Sequence, residues 1–113
     1  MNQLQQTFNS CLNHPIRVLL LQNLLDENPI PIPWLELQEL LELSDGSLTS
    51  HLRALEKNKL VRIEKILYDQ RRPCTIVHLT PEGLEQINKW KSWVWNNFFI
   101  QFSISTFWSM GCN

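Results

Sequence analysis

A chain of 113 residues with a net charge of −1, 43% hydrophobic and 19% charged residues has the size and make-up of one soluble globular domain. Three widely spaced cysteines, Cys11, Cys74 and Cys112, exclude a disulfide framework and lead us to expect free thiols in a reducing cytoplasm. The net charge favours no partner, but its distribution does. Residues 1–43 hold one basic and five acidic side chains, net −4. Residues 44–75 hold seven basic and four acidic ones, net +3, and residues 76–113 balance. A polyanion would meet the middle third.

Residues 1–12 are polar, with Leu4, Phe8 and Leu12 scattered among them, and read as a short leading helix or a frayed arm. Asn13-His14-Pro15 has the grammar of a helix start, with Asn13 as cap. Ile16, Leu19, Leu20 and Leu24 then form one apolar face up to about Asp26. In DENPIPIPW the alternating prolines fix φ and remove donors, so extended chain is expected, with room for a very short edge strand. Pro33 would open the next helix, WLELQELLEL, with Leu37, Leu40 and Leu41 inward and Glu36, Glu39 and Glu42 outward. Ser44-Asp45-Gly46 breaks it, and Asp45 can cap the next helix.

That helix, expected over 46–58, buries Leu48, Leu52 and Leu55. At 100° per residue its opposite face carries Ser50, Arg53 and Lys57, flanked by Ser47, Thr49 and His51. Residues 60–67 and 74–79 alternate as strands, joined by the polar turn YDQRRP, which brings Arg71 and Arg72 to a hairpin tip. Thr80-Pro81-Glu82 starts a further helix with the stripe Leu84, Ile87, Lys91 and Val94. The order is helix, extended linker, helix, short turn, helix, basic hairpin, helix. The central pair is a helix-turn-helix, and the hairpin after it adds a wing. The fold class expected is mainly α with a small β-hairpin wing (α+β): a winged helix-turn-helix over residues 13–90, preceded by the arm 1–12 and followed by an aromatic segment, 91–113.

The pieces NHPIRVLLL, LSDGSLTSHLRALEKNKLV and RRPCTIVHLTPEGLEQI, in this order, resemble the small winged-helix transcriptional regulators of the MarR/ArsR-like group. That resemblance implies that residues 46–58 are the recognition helix and 66–74 the wing. It also implies homodimers on palindromic operators, with double-stranded DNA as partner. The proline-rich linker and the aromatic tail depart from the group's pattern.

Short hydroxyl side chains allow close approach to a groove floor, so Ser47, Thr49 and Ser50 are expected at bases or phosphates. Arg53 suits bidentate reading of guanine, and His51 a phosphate or base. Lys57, Lys59 and Lys65 fit the backbone, and Arg71 and Arg72 a neighbouring minor groove or its phosphates. The bland alternative is a solvated helix face.

After Lys91 the chain carries no charge and many aromatics. A dimer interface through Trp90, Trp93, Val94, Phe98 and Phe102 is the first reading. A ligand pocket between subunits is the second. A membrane contact is the third, although the Asn, Gln, Ser and Thr content argues against stable insertion.

No phosphate loop, zinc-helix pair or Ser/His/acid set supports an enzyme, and no cofactor or metal is expected. The expectation is a cytoplasmic regulator, more naturally a repressor, with any small-molecule effector unspecified. The rival from another class is a winged helix that binds protein rather than DNA.

Overall fold

The computed structural model describes residues 8–99, apart from the side chains of Tyr68 and Phe99. A 3₁₀ turn, Ser10–Asn13, leads into α1, Pro15–Glu27. Then come β1 (Ile32–Pro33), α2 (Trp34–Leu41), α3 (Asp45–Lys57), β2 (Val61–Tyr68), β3 (Arg72–Leu79) and α4 (Pro81–Val94). A π turn, Trp95–Phe99, continues from α4. The three strands form one antiparallel sheet in the order β1-β3-β2. This is the α+β winged-helix architecture that the element order predicts.

The segment from Phe8 to Asn13 is more firmly built than its composition suggests. Asn9 caps the 3₁₀ turn by accepting from the Cys11 N–H at 2.8 Å. Its own N–H donates to Gln86 Oε1 at 2.7 Å, and its amide to Asn58 Oδ1 at 3.3 Å. Phe8, Cys11 and Leu12 are buried in the main core. Asn13 therefore ends this turn instead of capping α1. His14 takes the cap position and makes no side-chain bond there. Pro15, at the first position, has no N–H to leave unpaired and its fixed φ suits the start of the helix.

α1 packs against the 3₁₀ turn, α3, α4 and β3. Its buried arc is correspondingly broad: Val18, Leu20, Leu21 and Leu24. Leu19, expected inside, stands 45% exposed. β1 pairs Ile32 with Val77 and Pro33 with Ile76, the short edge strand anticipated. Pro33 is the N-cap of α2 and not its first residue. α2 buries Leu37 and half-buries Leu41, but Leu40, expected inward, is 56% exposed. An eight-residue helix presents too narrow an arc to the core to hold three leucines spread over about 100° of its wheel.

Glu42 closes α2 in the left-handed region, φ 52°, and its N–H reaches back to Gln38 O. Ser44 then caps α3 by accepting from the Ser47 N–H at 3.2 Å. Asp45, the expected cap, instead accepts from Gln38 Nε2 at 2.6 Å and ties the two helices together. Leu48, Leu52 and Leu55 are buried as expected. Lys59, φ 64°, turns the chain out of α3 into the wing.

The hairpin is longer than its polar sequence suggests. Its register runs from Val61↔Leu79 to Tyr68↔Arg72, so the loop is Asp69–Arg71 alone. Asp69 and Gln70 take positive φ, 54° and 60°. Pro73 sits inside β3, beyond the span of β1, on a stretch where a missing donor is tolerated.

Thr80 caps α4, accepting from the Gly83 N–H at 2.9 Å and donating to Lys59 O at 2.7 Å. The buried line of α4 is Gly83 and Ile87, with Trp90 and Trp93 packed half-buried on the core. Of the expected stripe, Ile87 is buried, Leu84 and Val94 are half-buried, and Lys91 faces out. The line follows Gly83 because glycine alone lets α4 lie against the Leu60 carbonyl.

Candidate nucleic-acid interface

α3 is held from behind by Leu48, Leu52 and Leu55, so its other face is fixed outward. Gly46, Ser50, Arg53 and Lys57 are exposed there, and Thr49 is half-buried. Asp45, Gly46, Thr49, Ser50 and Arg53 line an open depression of about 480 Å³. A second depression, about 300 Å³, lies between α3 and the root of the wing. It is lined by Thr49, Arg53 and Glu56 of α3, by Ile63, Lys65 and Thr75 of the sheet, and by Trp34. Thr49 and Arg53 line both, so helix and wing share one trough. Strand alternation explains Lys65: it lies on the face of β2 that carries Val61 and Ile63, at its outer end.

The structure thus brings Thr49, Ser50, Arg53 and Lys65 together. Lys57 is exposed in the last turn of α3, where its charge suits the helix dipole. Arg71 is at the tip of the wing and Arg72 opposite Tyr68, both exposed. Among the described residues Arg53, Lys57, Lys65, Arg71 and Arg72 make no ion pair, and their charges are available to an anion. Arg62 differs. It lies on the other face of the hairpin, 3.7 Å from Glu64, which also meets His78 at 2.9 Å.

Ser47 and His51 stand on the flank of α3 that faces α1, half-buried, away from the trough. His51 Nδ1 accepts from Arg17 Nε at 3.1 Å, and its ring lies 6.1 Å from that of His14. Burial first, then the charges of Arg17 and His14, push the His51 pKa below its ordinary 6.5. The ring is neutral at pH 7, and with Nδ1 accepting, the proton sits on Nε2. Arg17 is the member of this surface that the sequence conceals. It lies 34 positions from His51 in an acidic third of the chain, and only folding joins the two.

The residues expected at a dimer interface divide. Trp90 and Trp93 already pack on the core of the chain itself. Trp93 meets Phe8 and Phe98 edge-on, centroids 5.5 and 5.7 Å apart. Val94 is half-buried. Trp95 and Phe98 are 53% and 57% exposed. Phe102 lies outside the described residues. Beside these aromatics runs an apolar groove of about 400 Å³, lined by Phe8, Leu12, Pro15, Val18, Leu19, Trp90 and Trp93 among others. Among the described residues no cluster of His, Cys, Asp and Glu could hold a metal ion. No helix among them is long and apolar enough to cross a membrane.

A helix-turn-helix whose second helix is presented beside a hairpin with exposed arginines at its tip is a winged-helix nucleic-acid-binding module. Comparison with known proteins agrees. The chain belongs to the winged helix DNA-binding domain family, whose model matches residues 16–97, and that family is one of DNA binders and not of enzymes. The comparison does not single out the MarR/ArsR-like group within the winged-helix class. Among solved structures the chain is similar to a transcriptional regulator homologue from Pyrococcus horikoshii OT3, at 34% identity and a TM-score of 0.69. That match covers 76% of this chain and 82% of the other. A PadR-like transcription factor from Bacteroides fragilis shares the fold at 18% identity and a TM-score of 0.62, over 77% and 87% of the two chains. No curated protein matches the chain.

Proposed function

We propose that this protein is a sequence-specific, double-stranded DNA-binding transcriptional regulator that acts in the cytoplasm as a homodimer and represses by occupying its operator. The observation that carries this reading is the trough shared by α3 and the wing, with its unpaired cations. A helix about 10–12 Å across fits a major groove about 12 Å wide. Thr49 and Ser50 are short enough to let α3 approach the floor. Arg53, exposed and free of ion pairs, is the base reader, since its guanidinium can bond guanine O6 and N7 in parallel. Lys57 and Lys65 meet the phosphate backbone, and Arg71 and Arg72 the flanking groove or its phosphates. Ser47 and His51 contribute at the flank.

The second copy packs through the end of α4. Trp95 and Phe98 are large and exposed, Phe98 lies against Trp93 at the apolar groove, and aromatic residues are enriched in such interfaces. Two recognition helices related by a two-fold axis read half-sites about one helical turn apart. The groove by Trp90 and Trp93 is also the place where a small-molecule effector, if the protein uses one, would alter the spacing of the pair.

The test is retention of mixed genomic DNA fragments over a salt series, with sequencing of what stays bound. A shared inverted repeat, held less tightly as salt rises, is the expected result. Failure to retain DNA even at low salt would overturn this reading and favour a protein-binding winged helix.

A further inference from the structure

We propose that Arg17, set beside His14 on the flank of α3, is a contact to the DNA phosphate backbone. The proposal rests on the DNA-binding reading above and extends it to a residue outside both the helix-turn-helix and the wing.

Arg17 is the single basic residue among the first 43, which also hold five acids. Simple electrostatics would pair it with one of them. The fold does not: among the described residues no carboxylate lies within ion-pair distance of it. Its bonds go to neutral acceptors. Nε donates to His51 Nδ1 at 3.1 Å, and Nη1 faces Cys11 O at 3.4 Å and Cys11 Sγ at 3.6 Å. A half-buried guanidinium keeps its charge and carries five N–H donors. These bonds engage Nε and one terminal nitrogen and leave other N–H donors of the guanidinium for another acceptor. Leaving such a cation without a counter-charge is costly, and an arriving anion would relieve the cost. The His51 pKa is pushed down first by burial and then by Arg17 and His14, and the smaller, coulombic part agrees with a local excess of positive potential.

The place suits a phosphodiester. His51 follows Ser50 directly, so it lies about 100° around α3 from the face directed at the groove floor. A helix seated in the major groove turns its floor-facing side chains to base edges and its flanks to the phosphate walls. Arg17 and the exposed His14 therefore stand where one wall passes, on the side of α3 opposite the wing.

The experiment is binding of the full chain to a mixed-sequence duplex of about 30 base pairs, by fluorescence anisotropy, from about 50 to 200 mM salt. One phosphate contact contributes about 0.9 to the slope of log K against log salt. The same term makes Arg17→Gln about 8-fold weaker at about 0.1 M salt, with a slope shallower by about 1. Arg17→Lys, which keeps the charge, should hold the slope of the unaltered protein. Its retention separates a lost phosphate contact from a damaged fold. Sequence preference on a selected operator should not change with either variant. An unchanged slope for Arg17→Gln, with DNA still bound, would overturn this inference alone. A slope lost equally in Arg17→Gln and Arg17→Lys would overturn it too, as a packing effect. Saturable shifts of the His14 and His51 ring protons with inorganic phosphate, alongside an unchanged DNA slope, would mark a free-anion site instead. No duplex binding by the unaltered protein would overturn both this inference and the reading on which it rests.

Discussion

Replacing Gly83 by alanine should destabilise the protein, although helix propensity alone predicts the reverse. Gly83 lies in the first turn of α4, in an ordinary helical conformation, where alanine is favoured by about 1 kcal/mol. A Cβ at this position, however, would collide with the Leu60 carbonyl oxygen. It would also come within 2.8 Å of Leu79 Cδ1 and 3.0 Å of Leu60 C. The carbonyl cannot step aside freely. Leu60 O accepts the Thr80 N–H at 3.3 Å, and the neighbouring Lys59 O accepts from Thr80 Oγ1 at 2.7 Å. Overpacking costs about 1–3 kcal/mol. With backbone as the obstacle the upper figure applies, and the propensity gain reduces it to about 2 kcal/mol.

Urea unfolding should show a lower midpoint at unchanged m, and thermal unfolding a loss of roughly 8–16 °C for a domain of this size. Gly46, in the first turn of α3, is the internal control. No heavy atom lies within 4 Å of a Cβ built there, so Gly46→Ala should stabilise by about 0.4–1 kcal/mol. Opposite signs from the same substitution in two first turns would isolate the contact between α4 and the wing root. A Gly83→Ala protein as stable as the parent would refute the close approach.

On the selected operator, Arg53→Ala should cost about 1–3 kcal/mol and relax preference at the base it reads; competition against operator variants checks this, and unchanged preference removes its reading role. Arg71→Ala with Arg72→Ala should lower affinity on all sequences and reduce the salt slope by about 2, one per phosphate; an unchanged slope takes the wing out of the contact set. Because the folded His51 pKa lies below 6.5, the folded state resists protonation. Stability is therefore full above that pH and declines as pH falls through 6.5 towards the folded value. His51→Gln should flatten the decline in urea midpoints, and an identical decline would clear His51 of it. Trp95→Asp with Phe98→Asp should turn a dimer into a monomer in sedimentation equilibrium while leaving the far-ultraviolet dichroism of the fold intact.

Features decided within a few residues were plain in the sequence. The Thr80 cap followed by Pro81 and the Leu48/Leu52/Leu55 face rest on neighbours in the chain, and each is found in the fold; the break expected at Ser44–Gly46 falls earlier, at Glu42–Ser44, because α3 already begins at Asp45. The failures have distant causes. Ser44 and Asp45 are equally good caps locally. Gln38, one helix earlier, claims Asp45 and leaves the cap to Ser44. Phe8 and Leu12 join the core because Trp93, far along the chain in α4, packs beside them and Gln86 of the same helix holds Asn9 between them. Leu40 and Lys91 keep a helical period yet miss the core, since each helix meets it along a narrower arc than its apolar pattern suggests. The same limit applies at the site. Arg53, Arg71 and Arg72 were visible as a basic block, whereas Arg17 became part of the surface only through its bond to His51.

The layout of charge also bears on how such a module would choose its DNA. The acids Glu36, Glu39 and Glu42 are exposed on α2 and at its end, directly before α3. Seen from beyond a Debye length, about 8–10 Å at ordinary ionic strength, they offset the cations of α3 and the wing, and the net −1 of the chain gives little general pull towards a polyanion. Within that distance the exposed cations of α3 and the wing, and the Arg17 flank, are felt one by one, beside Asp45 and Glu56, which line the same trough. A strongly basic domain would gain affinity for every sequence alike through counterion release. On the proposed reading the unspecific part is limited to the few cations that seat α3, and discrimination would fall to short-range contacts by Arg53, Thr49 and Ser50 on base edges. The ratio of operator binding to background, which decides occupancy among many competing sites, would on that reading be set more by the face of α3 than by the charge of the chain.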